Sequence, residues 1–285
     1  MKLLSKLAAA VALTMAVSPA SAITWGERDN GAHPNVVALL FVQNGVGFFS
    51  CTGTLLTPYV VLTAGHCTEG AGEVNNATYV RNAEDIIELL QTERPNYNST
   101  TEWLEDTWVS GQATPHPQFN DFAEFPLTYD IGLVLLDEPI YVTEYGQMPS
   151  LGEFDFLSAA HGPIADRQVA VVGYGLNGKI LPEITNDFER YKALSAITNT
   201  GQSANVGPQN FQFTNNPGQG SGSGGTCSGD SGGPAFWVGS GMETTTVVAV
   251  NSYGIAPNCT GTDYQFRTDT ETAQDFVNAH INFVP

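Results

Sequence analysis

An all-β fold is the class that this sequence predicts. From Val36 onward, short runs of β-branched and aromatic residues are separated by glycines and prolines at short intervals. Such runs are typical of strands in a β-sandwich or β-barrel, since branched and aromatic side chains pack well on a pleated surface. The 285 residues are enough for one large domain or two small ones with substantial cores.

The first residues have the pattern of a secretion signal. Residues 1–22 carry two lysines, then an apolar run at 7–17, and end in the small residues Ala-Ser-Ala. The apolar run is shorter than the roughly 18 residues of a membrane-spanning helix, and no other stretch of the sequence reaches that length. We therefore expect a secreted, extracellular protein with no membrane partner, whose mature chain begins at Ile23.

The composition is strongly acidic, which limits the partners that we expect. Lys and Arg number 10 against 29 Asp and Glu, for a formal charge of −19 at pH 7. Binding to nucleic acid requires clusters of Lys and Arg that neutralise phosphates, so we expect no nucleic-acid partner. We attribute the charge to solubility outside the cell rather than to a basic partner.

Four cysteines in a secreted chain favour two disulfides, for which three pairings exist. Cys51–Cys67 and Cys227–Cys259 would be the two local closures, and closing the shorter loop stabilises by about 3 kcal/mol in the chain-entropy model. Zinc binding is the alternative, but only His66-Cys67 brings two ligand types together, which is too few for a four-ligand site. We expect no metal and no organic cofactor.

Predicted strands alternate with turns and loops along the chain. They are expected at residues 35–42, 48–56, 59–63, 131–136, 168–175, 191–198, 235–238 and 244–250. Residues 85–90 fit either a strand or a helical turn, and the polar segment 93–105 is expected to be a surface excursion. Residues 137–167 have the composition of a linker, and residues 215–225 that of a mobile loop.

The carboxyl end is the segment with clear helical spacing. Apolar residues recur there at intervals of three and four, after two candidate N-caps. The apolar residues are Ala273, Phe276, Val277 and Ile281, and the caps are Asp269 and Thr270. We expect a short helix that packs on the second half of the chain.

Residues 225–234 (Gly-Thr-Cys-Ser-Gly-Asp-Ser-Gly-Gly-Pro) place Ser231 among four glycines. Glycines allow successive backbone N–H groups to face one concave surface, as an anion-binding nest requires. A serine beside such donors has what acyl transfer needs, a nucleophile next to groups that hold an oxyanion. The alternative is an ordinary Gly/Ser turn, unless a base and an orienting acid occur elsewhere.

A histidine and an aspartate elsewhere in the chain can supply the base and the orienting acid that Ser231 needs. His66 follows the apolar strand at 59–63 and precedes a cysteine, which fixes the imidazole at a strand edge. Asp130 stands at the start of an apolar run, where a buried carboxylate needs a hydrogen-bonding partner. Acting together, the histidine takes the serine's proton while the aspartate holds the imidazole tautomer. The remaining histidines, which are expected at the surface or in turns, are His33, His116, His161 and His280.

Three segments in the order His, Asp, Ser resemble the signature segments of trypsin/chymotrypsin-like serine proteases. They are Leu-Thr-Ala-Gly-His-Cys at 62–67, Asp-Ile-Gly-Leu-Val-Leu-Leu at 130–136 and Gly-Asp-Ser-Gly-Gly-Pro at 229–234. Gly-Tyr-Gly at 173–175 and Ser-Tyr-Gly at 252–254 are similar to two further motifs of that family. Subtilisin-like and α/β-hydrolase enzymes use other chain orders of the triad and are excluded.

The resemblance implies two six-stranded antiparallel β-barrels with the active site in the cleft between them. We expect residues 23–145 to form the first barrel, and residues 146–285 to form the second together with the short helix. The catalytic residues would be His66, Asp130 and Ser231, with oxyanion-hole amides from Gly229 and Ser231. The pairings Cys51–Cys67 and Cys227–Cys259 match two disulfides common in the family.

Activation and specificity are also implied by the resemblance. A new amino terminus at Ile23 would pair with Asp230, the aspartate before the nucleophile. Gly225 occupies the pocket-floor position, and a floor without a carboxylate predicts an apolar or aromatic residue before the scissile bond (P1) rather than Arg or Lys. The other expected pocket residues are Thr226, Ser252, Tyr253, Gly254 and either Asp263 or Tyr264. Asp263 pointing inward would restore some preference for basic residues.

The function that the sequence predicts is therefore that of a secreted serine endopeptidase acting through an acyl-enzyme. Its expected partners are protein or peptide substrates and protein protease inhibitors, and the expected state is a monomer. Two alternatives stay open, a catalytically inactive relative used as a binding module and an esterase or narrow-target hydrolase on the same fold.

Overall fold

The computed structural model describes the chain from Ile23 to Pro285 with short gaps. The described ranges are 23–43, 47–70, 76–159, 163–176, 178–180, 183–185, 188–201, 206–216 and 222–285. The expected secretion signal at 1–22, the turn at 45–47 in part and His161 lie outside the described residues.

The first half of the chain forms a closed six-stranded antiparallel barrel. After a two-residue strand, β1 (Glu27–Arg28), its strands are β2 (Val36–Gln43), β3 (Gly47–Thr57), β4 (Val60–Thr63), β5 (Ala77–Arg81), β6 (Val109–Pro115) and β7 (Gly132–Leu136). They pair in the order β2-β3-β4-β7-β6-β5, and β5 closes the barrel on β2. Strands β4 and β7 are adjacent and buried at every position, so the residues that flank them are rigidly held.

The second half forms a second closed barrel of six strands. The strands after β7 are β8 (Gln168–Gly173), β9 (Gly178–Ile180), β10 (Glu183–Thr185), β11 (Tyr191–Asn199), β12 (Asn210–Thr214), β13 (Pro234–Gly239), β14 (Val247–Gly254) and β15 (Thr262–Arg267). The barrel order is β8-β11-β12-β15-β14-β13, with β13 pairing back to β8, while β9 and β10 form a separate hairpin. The expected pair of six-stranded barrels is confirmed.

The connection between the barrels contacts both of them. Gly146 donates its backbone N–H to Leu55 in the first barrel, and Gln147 donates to Thr245 beside β14 in the second. The boundary at 145/146 stays a prediction. β1 pairs with β11, so the segment that follows Ile23 contacts the second barrel although it precedes the first.

Helices are few and short. They are α1 (Gly65–Thr68), α2 (Ile86–Thr92), α3 (Thr100–Thr107) and α4 (Glu271–Asn278), with 3-10 turns at Arg94–Asn96, Asp155–Ala159 and Ile164–Arg167. The prediction of a surface excursion over 93–105 was wrong, because α3 buries Trp103 and Leu104 against the first barrel. The missed signal is the N-cap of α3, where the Ser99 hydroxyl accepts a hydrogen bond from the Glu102 N–H in a Ser-x-x-Glu pattern.

The carboxyl-terminal helix is present as predicted, but its packing was predicted only in part. Thr270 caps α4 by accepting a hydrogen bond from the Ala273 N–H. The Phe276 ring lies edge-on to His116, 5.1 Å between centroids, directly after β6 of the first barrel. The helix therefore bridges the two barrels instead of packing on the second alone.

His33 and His116 are buried, contrary to the expectation that they lie at the surface. The Nδ1 of His33 contacts the Asp29 carboxylate and its Nε2 contacts Glu243, while Asp29 also accepts a hydrogen bond of 2.8 Å from Arg190. An imidazole with a carboxylate at each nitrogen donates at both and is held as imidazolium. Burial alone would lower the pKa of His33, but its two carboxylate partners raise it above the ordinary value of 6.5.

The raised pKa of His33 predicts a stability that falls with rising pH. The stabilisation is fully present below the unfolded-state pKa and is lost as pH rises through the higher folded-state pKa. We expect His33→Gln to lower the unfolding temperature by several degrees at pH 6 and by clearly less at pH 9, measured on a Ser231→Ala background to prevent self-digestion. His280→Gln is the matched control, and an equal loss for His33→Gln at both pH values would contradict the ion-pair interpretation.

Candidate active site

His66 is fixed by the end of one buried strand and by a disulfide. β4 ends at Thr63, and α1 begins two residues later, so His66 is held in a tight turn at the barrel edge. Cys67 in the same turn is bonded to Cys51 on β3, with 6.4 Å between the two Cα atoms. The His66 side chain keeps 27% of its surface exposed, which leaves it accessible from the cleft.

Asp130 is a fully buried acid, and both of its carboxylate oxygens accept hydrogen bonds. It precedes β7, and its carboxylate accepts a hydrogen bond of 2.8 Å from the His66 backbone N–H. The second carboxylate oxygen lies 2.8 Å from His66 Nδ1 and 2.5 Å from the Ser252 hydroxyl. Nδ1 therefore carries a proton and Nε2 is left as the basic nitrogen. Burial would lower the pKa of His66, but the charge and hydrogen bond of Asp130 raise it above 6.5.

Ser231 is held at the seam between the barrels by Thr52 of β3. The Thr52 N–H donates to the Ser231 carbonyl at 2.8 Å, and the Thr52 hydroxyl donates to the Gly229 carbonyl at 3.1 Å. Ser231 is half-buried and lines the adjacent cavity. Within the described residues no hydrogen bond joins Ser231 Oγ to His66 Nε2, as is common for catalytic pairs without substrate.

The backbone amides around Ser231 are available to an incoming group. Among the described residues, neither the Gly229 nor the Ser231 N–H donates a hydrogen bond. Unused, adjacent N–H groups beside a serine hydroxyl are the arrangement that stabilises an oxyanion.

Asp230 is a second buried carboxylate, and its partners differ from those of Asp130. It accepts hydrogen bonds of 2.8 Å from the N–H groups of Cys227 and Gly175. Burial nevertheless raises its pKa to about 7. Ile23 is fully buried in the second core, and Thr24 pairs with Gly225, but no hydrogen bond joins Ile23 to Asp230 within the described chain.

A cavity of about 210 Å³ opens beside Ser231. Five of the expected pocket residues line it, namely Thr226, Ser252, Tyr253, Gly254 and Asp263. Tyr264 instead stacks on Tyr253, with 4.8 Å between ring centroids, so Asp263 is the residue that lines the wall.

The assignment of Gly225 to the pocket floor needs correction. Gly225 is not among the residues that line the cavity, and a Cβ built there would lie 1.8 Å from the Asn215 carboxamide oxygen. Asp263 is one of the lining residues, so the premise of a pocket without an acidic residue does not hold. Asn215 was missed because nothing in its local sequence indicates a contact with residues 225, 226 and 263.

A second disulfide borders the cavity, and the first one leaves no thiolate beside His66. Cys227 is bonded to Cys259 at the pocket rim, so both local pairings occur. The sulfurs of Cys51 and Cys67 lie within 4.8 Å of a His66 nitrogen, but they are bonded to each other and offer no thiolate ligand.

No helix in the described part of the chain has the length and apolar composition needed to cross a membrane.

Two closed barrels with histidine, aspartate and serine at their seam define a chymotrypsin-type fold. The sequence model of the Trypsin family matches residues 23–277. The chain therefore belongs to the trypsin family of serine proteases.

Individual relatives are distant. The clotting factor G beta subunit of Tachypleus tridentatus is 27% identical over 72% of this chain and 63% of its own length. Trypsin, alkaline B of Manduca sexta is 34% identical over 32% of this chain and 38% of its own length. The match thus spans less than two thirds of either protein. Brachyurin of Leptuca pugilator is 27% identical over 78% of this chain and 82% of its own.

A solved structure supports the fold. HL collagenase superposes with a TM-score of 0.60 over 90% of this chain and 96% of its own, at 16% sequence identity. At that identity the likeness concerns the fold alone.

Close packing across the seam predicts that Gly232 cannot be replaced. Its φ is +79°, and a Cβ there would lie 1.9 Å from the Thr63 hydroxyl and 2.5 Å from the Thr52 carbonyl oxygen. We expect Gly232→Ala to destabilise by about 3 kcal/mol or more, as overpacking and backbone strain add. Urea unfolding measures this loss of stability. Gly241→Ala is the control, because a Cβ at position 241 would lie 3.8 Å from its nearest neighbouring atom. Equal stability of the two variants would contradict the packing at the seam.

Proposed function

We propose that this protein is a secreted serine endopeptidase that uses Ser231 as nucleophile, His66 as general base and Asp130 as the group that orients the base. The observation that carries the proposal is the buried Asp130 carboxylate, 2.8 Å from Nδ1 of the half-buried His66. A carboxylate in that position stabilises the imidazolium formed when Nε2 takes a proton.

The reaction follows from these groups. Ser231 Oγ attacks the carbonyl carbon of the scissile bond while its proton passes to His66 Nε2. The resulting oxyanion accepts hydrogen bonds from the N–H groups of Gly229 and Ser231. Collapse of the intermediate breaks the C–N bond, the amine leaves with the proton from His66, and an acyl-enzyme remains. Water, deprotonated by His66, then releases the acid and restores Ser231.

Family membership supports protein or peptide substrates, since the similar proteins are trypsins, a clotting-factor subunit and a brachyurin. Secretion is supported by the pattern of residues 1–22 and by two disulfides, which persist in oxidising compartments. A monomeric state and inhibition by protein protease inhibitors stay predictions.

We extend the proposal to a mature amino terminus at Ile23. Asp230 is buried with amide donors only, and its pKa of about 7 reflects the cost of a charge without a cationic partner. An ammonium at Ile23 would supply that partner, because Thr24 already pairs with Gly225 on the same loop. Amino-terminal sequencing of the secreted active protein tests this, and full activity with another start would overturn it.

For the P1 residue we propose a pocket that accepts apolar and aromatic side chains and, through Asp263, also Lys and Arg. Asp263 is 5% exposed and has no cationic partner among the described residues. A basic P1 side chain would provide one. Burial raises the pKa of Asp263 above its ordinary value of 3.8, against lowering by hydrogen bonds from Thr226 and Asn215.

Replacement of the nucleophile or the base tests the reaction. We expect Ser231→Ala and His66→Ala each to lower kcat on casein by several orders of magnitude, and Ser231→Ala to abolish labelling by a fluorophosphonate probe. Ser240→Ala, at an exposed serine, is the control and should retain both activities. Absence of wild-type labelling would support an inactive binding module, and labelling without casein hydrolysis would support an esterase or narrow-target hydrolase.

The pH dependence of selectivity tests the role of Asp263. Because the pKa of Asp263 is raised, the carboxyl is neutral below that pKa and charged above it. We expect the ratio of kcat/KM for Lys-P1 over Phe-P1 peptides to rise with pH, while the titration of His66 affects both substrates alike and cancels in the ratio. Asp263→Asn should lower the ratio at least tenfold at high pH and remove its pH dependence. A ratio that keeps rising in Asp263→Asn excludes this carboxyl as the cause.

A further inference from the structure

Asn215 lies directly after β12, beneath the pocket and outside its lining. It is 1% exposed, and its backbone N–H donates to the Gly261 carbonyl at 2.9 Å. The side chain is therefore held in one place by a buried backbone. Its side-chain hydrogen bonds go to Thr226 and Asp263 and not to His66, Asp130 or Ser231.

All polar atoms of the Asn215 carboxamide contact the pocket wall. The amide nitrogen donates to the Thr226 carbonyl at 3.1 Å and to the Asp263 carboxylate at 2.5 Å. The amide oxygen accepts a hydrogen bond of 3.2 Å from the Thr226 N–H. One side chain thus connects two of the polar residues that line the cavity, Thr226 and Asp263.

The same carboxamide fills the space beside Gly225. A Cβ at position 225 would lie 1.8 Å from the Asn215 amide oxygen, 2.4 Å from its Cγ and 2.6 Å from its Cα. No rotation of a flexible end relieves these contacts, since one of them is to the backbone. A side chain at 225 and the present position of Asn215 exclude each other.

The other side of the Asp263 carboxylate is kept clear. Gly254 lines the cavity opposite, and a Cβ there would lie 2.6 Å from the second carboxylate oxygen. Asn215 and Thr226 both contact the first oxygen, which orients the second toward Gly254 and the cavity. The carboxylate is thereby presented in a fixed direction.

We propose that Asn215 is a positioning residue of the substrate pocket. Its carboxamide fills the space that a side chain at position 225 would occupy, and it holds the Asp263 carboxylate toward the P1 side chain. The proposal rests on the proposed peptidase function and deepens it, because it assigns selectivity for basic P1 residues to a residue that touches no substrate. Loss of the Asn215 donor also removes a hydrogen bond that lowers the pKa of Asp263. Asp230 is the other buried carboxyl that faces this group.

The first test removes the carboxamide. We expect Asn215→Ala to lower kcat/KM for Lys-P1 peptides at least tenfold through KM, with little change for Phe-P1 peptides. The midpoint of the pH profile of the Lys/Phe ratio should also move to higher pH, which a merely structural role would not cause. Gln212→Ala is the control, since this amide lies on β12, three residues before Asn215, and contacts Thr262 and Tyr264 instead of Asp263. An unchanged ratio and midpoint in Asn215→Ala would overturn the proposal.

The second test fills the space beside Gly225. Gly225→Asp places a Cβ against both the carboxamide and the Cα of Asn215, and we expect it to lose fluorophosphonate labelling. Full labelling of this variant with an unchanged Lys/Phe ratio would show that Asn215 does not occupy this space. Wild-type labelling and peptide hydrolysis are measured in parallel, so that failure of the peptidase function is distinguished from failure of this inference.

Discussion

Thr52 is the point on which the geometry of the candidate site depends. Its N–H and hydroxyl donate to the carbonyls of Ser231 and Gly229, and its own carbonyl accepts from the Thr63 hydroxyl. The Tyr174 N–H donates to the same Thr52 hydroxyl. These hydrogen bonds, each worth about 1 kcal/mol, join strands of both barrels at one residue. The disulfide from the adjacent Cys51 extends the same fixed frame to the turn that holds His66.

Three buried carboxylates surround this frame, and each is satisfied in a different way. Asp130 accepts from His66 and Ser252, Asp230 from two backbone amides, and Asp263 from Thr226 and Asn215. Burying a carboxylate costs several kcal/mol unless it is paired. Asp130 is the one of the three with a cation-forming partner among the described residues, and it is the one beside the proposed base. The cationic partner that we propose for Asp230 is an amino terminus at Ile23, and the one that we propose for Asp263 is a basic substrate side chain.

The features that the sequence predicted correctly depend on local patterns of residues. The strands next to His66 and Asp130 are continuous apolar runs, and the glycines around Ser231 directly indicate close backbone contacts. The failures concern contacts between distant segments. His33 is buried because Glu243, some 210 positions away in sequence, closes over it, and Gly225 is small because of Asn215 rather than because of an empty pocket. The cap of α3 was a local signal, but the polar composition of its exposed face hid the two residues that it buries.

The proposed catalysis and the proposed specificity depend on different contacts in this fold. The proposed triad lies at the seam, where Asp130 and Ser252 belong to opposite barrels, while the contacts of Asn215, Thr226 and Asp263 lie within the second. A change at Asn215 can therefore alter the pocket without moving the triad. One coupling limits this independence, because the charge of Asp263 adds to the burial that raises the pKa of Asp230. A cation bound to the Asp263 carboxylate would cancel that contribution, so a basic P1 side chain would ease the ionisation of Asp230 and its proposed pairing with Ile23.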